Sequence, residues 1–375
     1  MRPLRVLITN VTLGVRAGTE LYVRDVALAL KARGHVPIAF STVLGAVADE
    51  LRDSGISVVD NLAQAGAAPD IIHGHHHLET LMAVLHFPEA PAINFCHGRL
   101  PWEEQPLRHP SVRKYVAVDV ACRDRLVEIE GIDPARVDVI LNFVDLERFR
   151  PRGPLPLKPQ RALVLSNRAI EVGYVRAIRE ACGRSGIAVD IAGHDSGQPT
   201  NTPETLLPGY DLVFAKGRTA LEALAVGCAV ILSDGVGSGP LVTRSNAEQL
   251  RRLNFGWQAL DQPHEPDRYA AEIAKYDPRD ATDTSAWIRG NAGLDAAFDR
   301  LIAAYGTAID APPAPGDPAR AAADHLRRIR PAMVDHANRA ANLDALARAL
   351  ADARQRGAPS AIDGLKRLLG YLVRP

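Results

Sequence analysis

The sequence predicts a two-domain α/β protein, each domain a mostly parallel sheet with helices on both faces. Three observations predict it. Short apolar runs alternate with amphipathic helical patterns from the first residues, a proline-rich stretch interrupts them near residue 150, and the alternation then resumes. Two such domains on a short linker enclose a cleft at the carboxyl ends of their strands, where open α/β sheets bind ligands.

The run "RVLITNV" (Arg5 to Val11) reads as the first buried strand. After a glycine-containing loop, Val23, Val26, Ala27 and Leu30 recur at helical spacing, and Gly34 stops the helix. "VPIAFST", "ISVVD", "DIIHG", "PAINFCHG", "KYVAVDV" and "VDVILNFV" follow as further short strands. The linker "FRPRGPLPLKPQ" (Phe149 to Gln160) holds four prolines. Beyond it, "RALVLSN", "IAVDIAG", "DLVFAKG" and "CAVILSD" are strands of a second unit, with helices around Tyr174 to Cys182 and Thr219 to Val226. A helical stretch from Ser285 to Ala308 precedes a second break, "APPAPGDP". The expected domains are residues 1–150, 151–310 and a helical tail, 311–375. In the tail Leu343, Leu346 and Leu350 share one helical face, and Leu365, Leu368, Leu369 and Leu372 mark another helix.

Composition narrows the function classes. Lysine plus arginine equals aspartate plus glutamate at 44 each, so no global charge favours nucleic acid. Cys96, Cys122, Cys182 and Cys228 form no CxxC pair, which argues against a thiolate zinc site and fits a reducing, cytoplasmic compartment. No apolar run approaches the ~18–20 residues of a membrane span. Residues 317–375 carry eleven Lys/Arg against six Asp/Glu. Basic amphipathic helices suit an anionic membrane surface or a partner protein, and helices packed back on the core are the plainer alternative.

Two local patterns bear on chemistry. A loop ending in Gly18 and Thr19 before a helix offers unpaired backbone N–H groups and the positive end of the helix dipole. A plain strand–helix turn with Thr19 as N-cap is the alternative. "DIIHGHHHLETLMAVL" (Asp70 to Leu85) crowds four histidines into five positions. Asp70 to His73 reads as strand and Leu78, Leu81, Met82 and Leu85 as a helix, leaving His75, His76 and His77 in the connecting loop. On an uninterrupted strand His73, His75 and His77 would share one face and could suit zinc. Gly74 and the helix onset argue against that, and no metal is expected.

The chain resembles the family-4 retaining glycosyltransferases over about residues 4 to 305. "AGTELYVRDVALALKARGH" looks like the family's glycine loop and first helix. "VILNFVDLERFRP" is similar to the motif closing its first domain, and "GRTALEALAVGCAVILSD" resembles its donor-site helix and following strand. The resemblance implies the GT-B fold of two facing Rossmann-like domains, with the donor held by the second. It implies sugar transfer from a nucleotide-sugar donor to a hydroxyl acceptor, such as a glycan or glycolipid, without a cofactor. Polysaccharide or glycolipid biosynthesis is the setting it suggests.

Carried over residue by residue, the resemblance names His97, Arg168 and Lys216 as catalytic. Gly18, Thr19, Asn167, Arg168, Lys216, Gly217, Arg218, Thr219 and Glu222 are donor-binding, with Glu222 on the ribose. His73, His75 and His76 are expected on the acceptor side. Two departures mark a divergent member. Gly173 stands where relatives have a phosphate-binding lysine, and Phe214 stands where they have a glutamate that binds the sugar. Lys216 and Arg218 are candidates to replace the missing charge. A GT-B epimerase or phosphorylase, or a degenerate binding subunit, are the alternative functions, and a simple Arg218–Glu222 surface pair is the bland account of those two residues.

Overall fold

A computed structural model describes residues 2–99, 101–170 and 173–355. The first sheet has seven parallel strands: β1 (Arg5–Thr9), β2 (Val36–Phe40), β3 (Ser57–Val59), β4 (Ile71–His75), β5 (Ala92–Cys96), β6 (Val112–Ala117) and β7 (Val137–Val139). Their order is β3-β2-β1-β4-β5-β6-β7. Helices α1 (Gly18–Ala32), α2 (Ala46–Asp53), α3 (His77–His86) and α4 (Val120–Asp124) connect them. Val6, Leu7 and Ile8 are all fully buried, the mark of a strand covered on both faces.

The second sheet holds β8 (Arg161–Leu165), β9 (Ala188–Ala192), β10 (Leu212–Ala215), β11 (Ala229–Asp234) and β12 (Gly237–Leu241), ordered β12-β11-β10-β8-β9. Only β12 runs antiparallel, against β11. Its helices are α5 (Tyr174–Arg184), α6 (Pro203–Leu206), α7 (Gly217–Val226), α8 (Ala247–Arg252), α9 (Pro266–Ile273) and α10 (Pro278–Asn291). Both faces of the sheet are covered: one core gathers Leu163, Val213 and Leu224, the other Val164, Ile178 and Phe214.

The helix expected from Ser285 to Ala308 is two helices, α10 and α11 (Leu294–Asp310), broken at Ala292 and Gly293. The break has a physical cause. Val144 N–H donates to Ala292 O at 2.9 Å and Leu294 N–H to Val144 O at 3.0 Å, so the backbone there pairs with the segment leaving the first sheet instead of continuing a helix. Beyond it α11 packs on β4, β5 and β6 of the first sheet, although its residues fall in the expected second domain, 151–310. The chain therefore passes between the sheets twice, at residues 140–160 and at residues 291–294.

Among the described residues, 108–110 group with 315–355 as a separate compact unit. Its helix α12 (Pro318–Gln355) buries Ala322, Ile329 and Leu346 and contains Pro331. The helix expected around Leu365, Leu368, Leu369 and Leu372 lies outside the described residues. Among the described residues, no helix is long and apolar enough to cross a membrane.

Candidate active site

Each sheet parts its loops beside its first strand. In the second sheet β8 lies between β9 and β10, so the loops after β8 and β10 diverge and leave a crevice. The first carries Asn167 and Arg168, the second Lys216. In the first sheet the loop after β1 leads to Gly18, while β5 delivers His97 and β6 leads to Asp119. These ends enclose a cavity of about 530 Å³.

The cavity is lined by His97, Gly18, Asn167, Arg168, Lys216, Gly217, Arg218, Thr219 and Glu222. Thr19 is not among the lining residues. It is the second residue of α1, whose N-cap is Ala17, and its hydroxyl donates to Glu20 at 3.1 Å. Gly18 has nothing within 4 Å of where a Cβ would stand, so the start of α1 is open to close approach. The cleft also holds Asp119, Asp234, Asn254 and Trp257, which motif reading missed.

Two of the cationic side chains, Lys216 and Arg218, are paired with carboxylates. Arg218 reaches across the cleft to Asp25 of α1 and along its own helix to Glu222, 2.8 Å from its Nε. The Arg218–Glu222 pair exists as its spacing suggests, but buried, with side chains 13% and 8% exposed. Burial pushes the Asp25 carboxyl up, yet Arg218 and Arg24 outweigh it and hold Asp25 below the usual range. Burial dominates at Glu222 and raises it despite Arg218. Lys216 Nζ meets the buried Asp234 at 2.7 Å, and Ser166 Oγ donates to the same carboxylate at 3.1 Å. Arg168 is exposed and forms no ion pair with a described residue.

Gly173, at the position of the relatives' lysine, has φ +70° and serves as N-cap of α5. Phe214 is wholly buried in β10, edge-on to Tyr269, and does not line the cleft. The β10–α7 turn is braced by an unusual loop, in which Asn254 and Phe255 have φ +49° and +52°. Gly217 N–H donates to Phe255 O at 2.7 Å, and the buried Asn254 amide bonds Val118 O of the first domain and accepts from Asn142 N–H at 3.1 Å. Such paired left-handed residues persist only where the surroundings hold them.

The histidines correct the sequence reading. Strand β4 continues through Gly74 to His75, so His75 is in the strand, His76 caps α3 and His77 is its first residue. Gly74 does not end the strand. It admits Thr80 of α3, whose side chain would stand 2.4 Å from an added Cβ. His73, His75 and His76, expected on the acceptor side, are buried and are not among the residues that line the cavity. They lie beneath it. His73 stacks on Phe95 with centroids 4.2 Å apart, and its Nδ1 is 2.5 Å from the Tyr305 hydroxyl of α11. His75 Nδ1 is 2.6 Å from His97 Nε2. Among the described residues, no three His, Cys, Asp or Glu side chains are placed to share a metal ion.

His76 has φ +60°, held by Val11 N–H donating to its Nδ1 at 3.2 Å and by Thr80 Oγ1 donating to its carbonyl at 2.6 Å. Its Nε2 faces Glu104 at 3.6 Å, and Glu104 accepts the His97 backbone N–H at 2.7 Å. Burial pushes Glu104 up to about 7, pushes His97 down to about 3 and His76 to about 4, and holds His73 and His75 well below the ordinary histidine range. This is a neutral imidazole cluster.

Residues 54–148 match the family model described as Glycosyltransferase Family 4. No curated protein matches the sequence. Among solved structures, Anabaena HepE in complex with UDP superposes with a TM-score of 0.61 at 14% identity, covering 81% of this chain and 100% of that one. A glycosyltransferase from Rickettsia africae gives 0.60 at 15% identity, covering 83% and 100%. A putative UDP-N-acetylglucosamine 2-epimerase from Listeria monocytogenes gives 0.54 at 14%, covering 84% and 99%. The fold is GT-B.

Proposed function

We propose that the chain is a retaining glycosyltransferase that moves a sugar from a nucleotide-sugar donor to a hydroxyl of a glycan or glycolipid. One observation carries this reading. The loops after β8 and β10, with Arg168 and Lys216, converge across a single cleft on the open start of α1 at Gly18. The family model over residues 54–148 supports the same class.

In this reading Arg168, Lys216 and the backbone N–H groups at the start of α7 stabilise charge on the departing diphosphate. Glu222 receives the ribose hydroxyls through its second carboxylate oxygen, the first being bound to Arg218. The cleft carboxylates are already engaged: Asp119 accepts from Cys122 N–H at 2.7 Å, Glu222 holds Arg218 and Asp234 holds Lys216. That favours reaction on one face of the sugar, with the departing phosphate assisting the acceptor, over a glycosyl-enzyme formed on a free carboxylate.

HepE was solved with UDP and with UDP-glucose, so uridine-diphosphate sugars are the first donors to test. A donor at a hundredfold its Kd adds about 2.7 kcal/mol of apparent stability, readable as a rise in melting temperature. Glu222→Gln should weaken nucleotide binding by about 1.5–3 kcal/mol, the range for a charge-assisted hydrogen bond. Unchanged affinity in that variant would remove Glu222 from the ribose. A shift with no donor-dependent turnover would turn the reading to a binding subunit.

A further inference from the structure

We propose that His75 is a positioning residue that fixes His97 as the tautomer carrying its proton on Nδ1, giving the cleft a neutral hydrogen-bond donor. His75 Nδ1 and His97 Nε2 lie 2.6 Å apart. Two neutral rings at that distance share one proton, and only two arrangements are open. If His97 donates from Nε2, His75 carries its own proton on Nε2. If His75 donates from Nδ1, its Nε2 is a bare lone pair and His97 carries its proton on Nδ1.

The surroundings choose between them. His75 is fully buried and its Nε2 has no hydrogen-bond partner. Tyr22, Phe95 and His73 pack around the ring with centroids 5.5, 5.1 and 4.5 Å away, leaving it in an aromatic enclosure. An unpaired buried N–H is the rarer defect, and an unpaired acceptor is better tolerated. The second arrangement therefore prevails. His97 is held from behind, its backbone N–H on Glu104 and its Nε2 on His75. Nδ1 has no partner among the described residues and is the ring nitrogen left to the cavity that His97 lines.

A neutral N–H there can hold a sugar hydroxyl or phosphate oxygen without adding charge to a cleft that already carries Arg168 and Lys216. The ionisable groups around His97 are His73, His75, His76, Tyr22 and Glu104. The role of this donor in transfer rests on the nucleotide-sugar reading above, whereas the tautomer itself does not.

The test is ¹⁵N-histidine labelling with long-range ¹H–¹⁵N correlation, the His97 signal identified by its loss in His97→Gln. The parental protein should show His97 protonated on Nδ1, a result that needs no substitution at His75. His75→Asn, whose amide N–H can replace the Nδ1 donor, should keep that pattern. His75→Asp can only accept when ionised and should move the His97 proton to Nε2 or charge the ring. In turnover with a UDP-sugar, His75→Asn should stay near parental kcat. His75→Asp should lose at least about tenfold in kcat with little change in KM, the scale of one misplaced hydrogen-bond donor. A parental His97 protonated on Nε2, or a pattern unmoved by His75→Asp in a folded protein, overturns the inference. The expected spectra without sugar transfer uphold the tautomer and refute the transferase reading.

Discussion

Replacing Glu104 by glutamine tests the electrostatics beneath the cleft. The Glu104 side chain is 4% exposed, accepts the His97 backbone N–H and has only a 3.6 Å approach from His76 Nε2. Arg125 draws its pKa down, but that arginine also donates to Gly98 O at 2.8 Å, and burial wins, raising Glu104 to about 7. The sign follows from the direction. With the folded value above the unfolded 4.5, Glu104 contributes stability that is fully present below that value and lost as pH rises through about 7. The rise corresponds to about 3 kcal/mol between roughly pH 4.5 and pH 8.5. Glutamine keeps an acceptor for the His97 N–H and cannot ionise. The stability of Glu104→Gln relative to the parent, from urea unfolding, should therefore improve by about 3 kcal/mol across that interval. His76 and His97, at about 4 and 3, stay neutral over most of it and do not obscure the result. An equal gap between variant and parent at both pH values would refute the reasoning, because Glu104 would then ionise alike in both states.

The bridge across the cleft is open to a double-mutant cycle. Asp25→Asn should cost about 3–5 kcal/mol in denaturant unfolding because it leaves Arg218 buried against Glu222 alone, and Arg218→Met in that background should cost much less than in the parent. Strict additivity would mean that the two side chains do not share an interaction. Phe214→Glu, which restores the relatives' residue type, should destabilise by at least about 3 kcal/mol and yield no turnover gain, since the position is buried against Tyr269. A variant that melts like the parent and transfers sugar faster would show that the strand can turn this position to the cleft.

The strands were legible because parallel sheets covered on both faces require continuous apolar runs, and the position of the cleft follows from strand ends. β12 was not, since "GSGPL" carries two glycines and a proline and is held by its antiparallel pairing with β11 and by Ser238 against Gln262. Local spacing showed Arg218 facing Glu222 but could not show Asp25, 193 residues away, as the second partner. The histidines misled for a related reason. Imidazoles read as polar loop residues until Phe95, Tyr22 and Tyr305 are seen to enclose them. Gly74 read as a strand end, whereas Thr80 is what requires it.

The two passages of the chain between the sheets lie side by side, joined by the hydrogen bonds of Val144 with Ala292 and Leu294. A single tether would let one half swivel freely, but two adjacent tethers stitched together act as a leaf hinge, compliant in bending and stiff in torsion. Any parting of the halves would then follow one arc and bring Asp25 back to Arg218 in one register. Slow amide exchange at Val144 and Leu294 would mark the leaf as intact, and fast exchange at both would mean the halves are free to twist. Under the transferase reading proposed above, a donor would enter by the edge opposite that leaf.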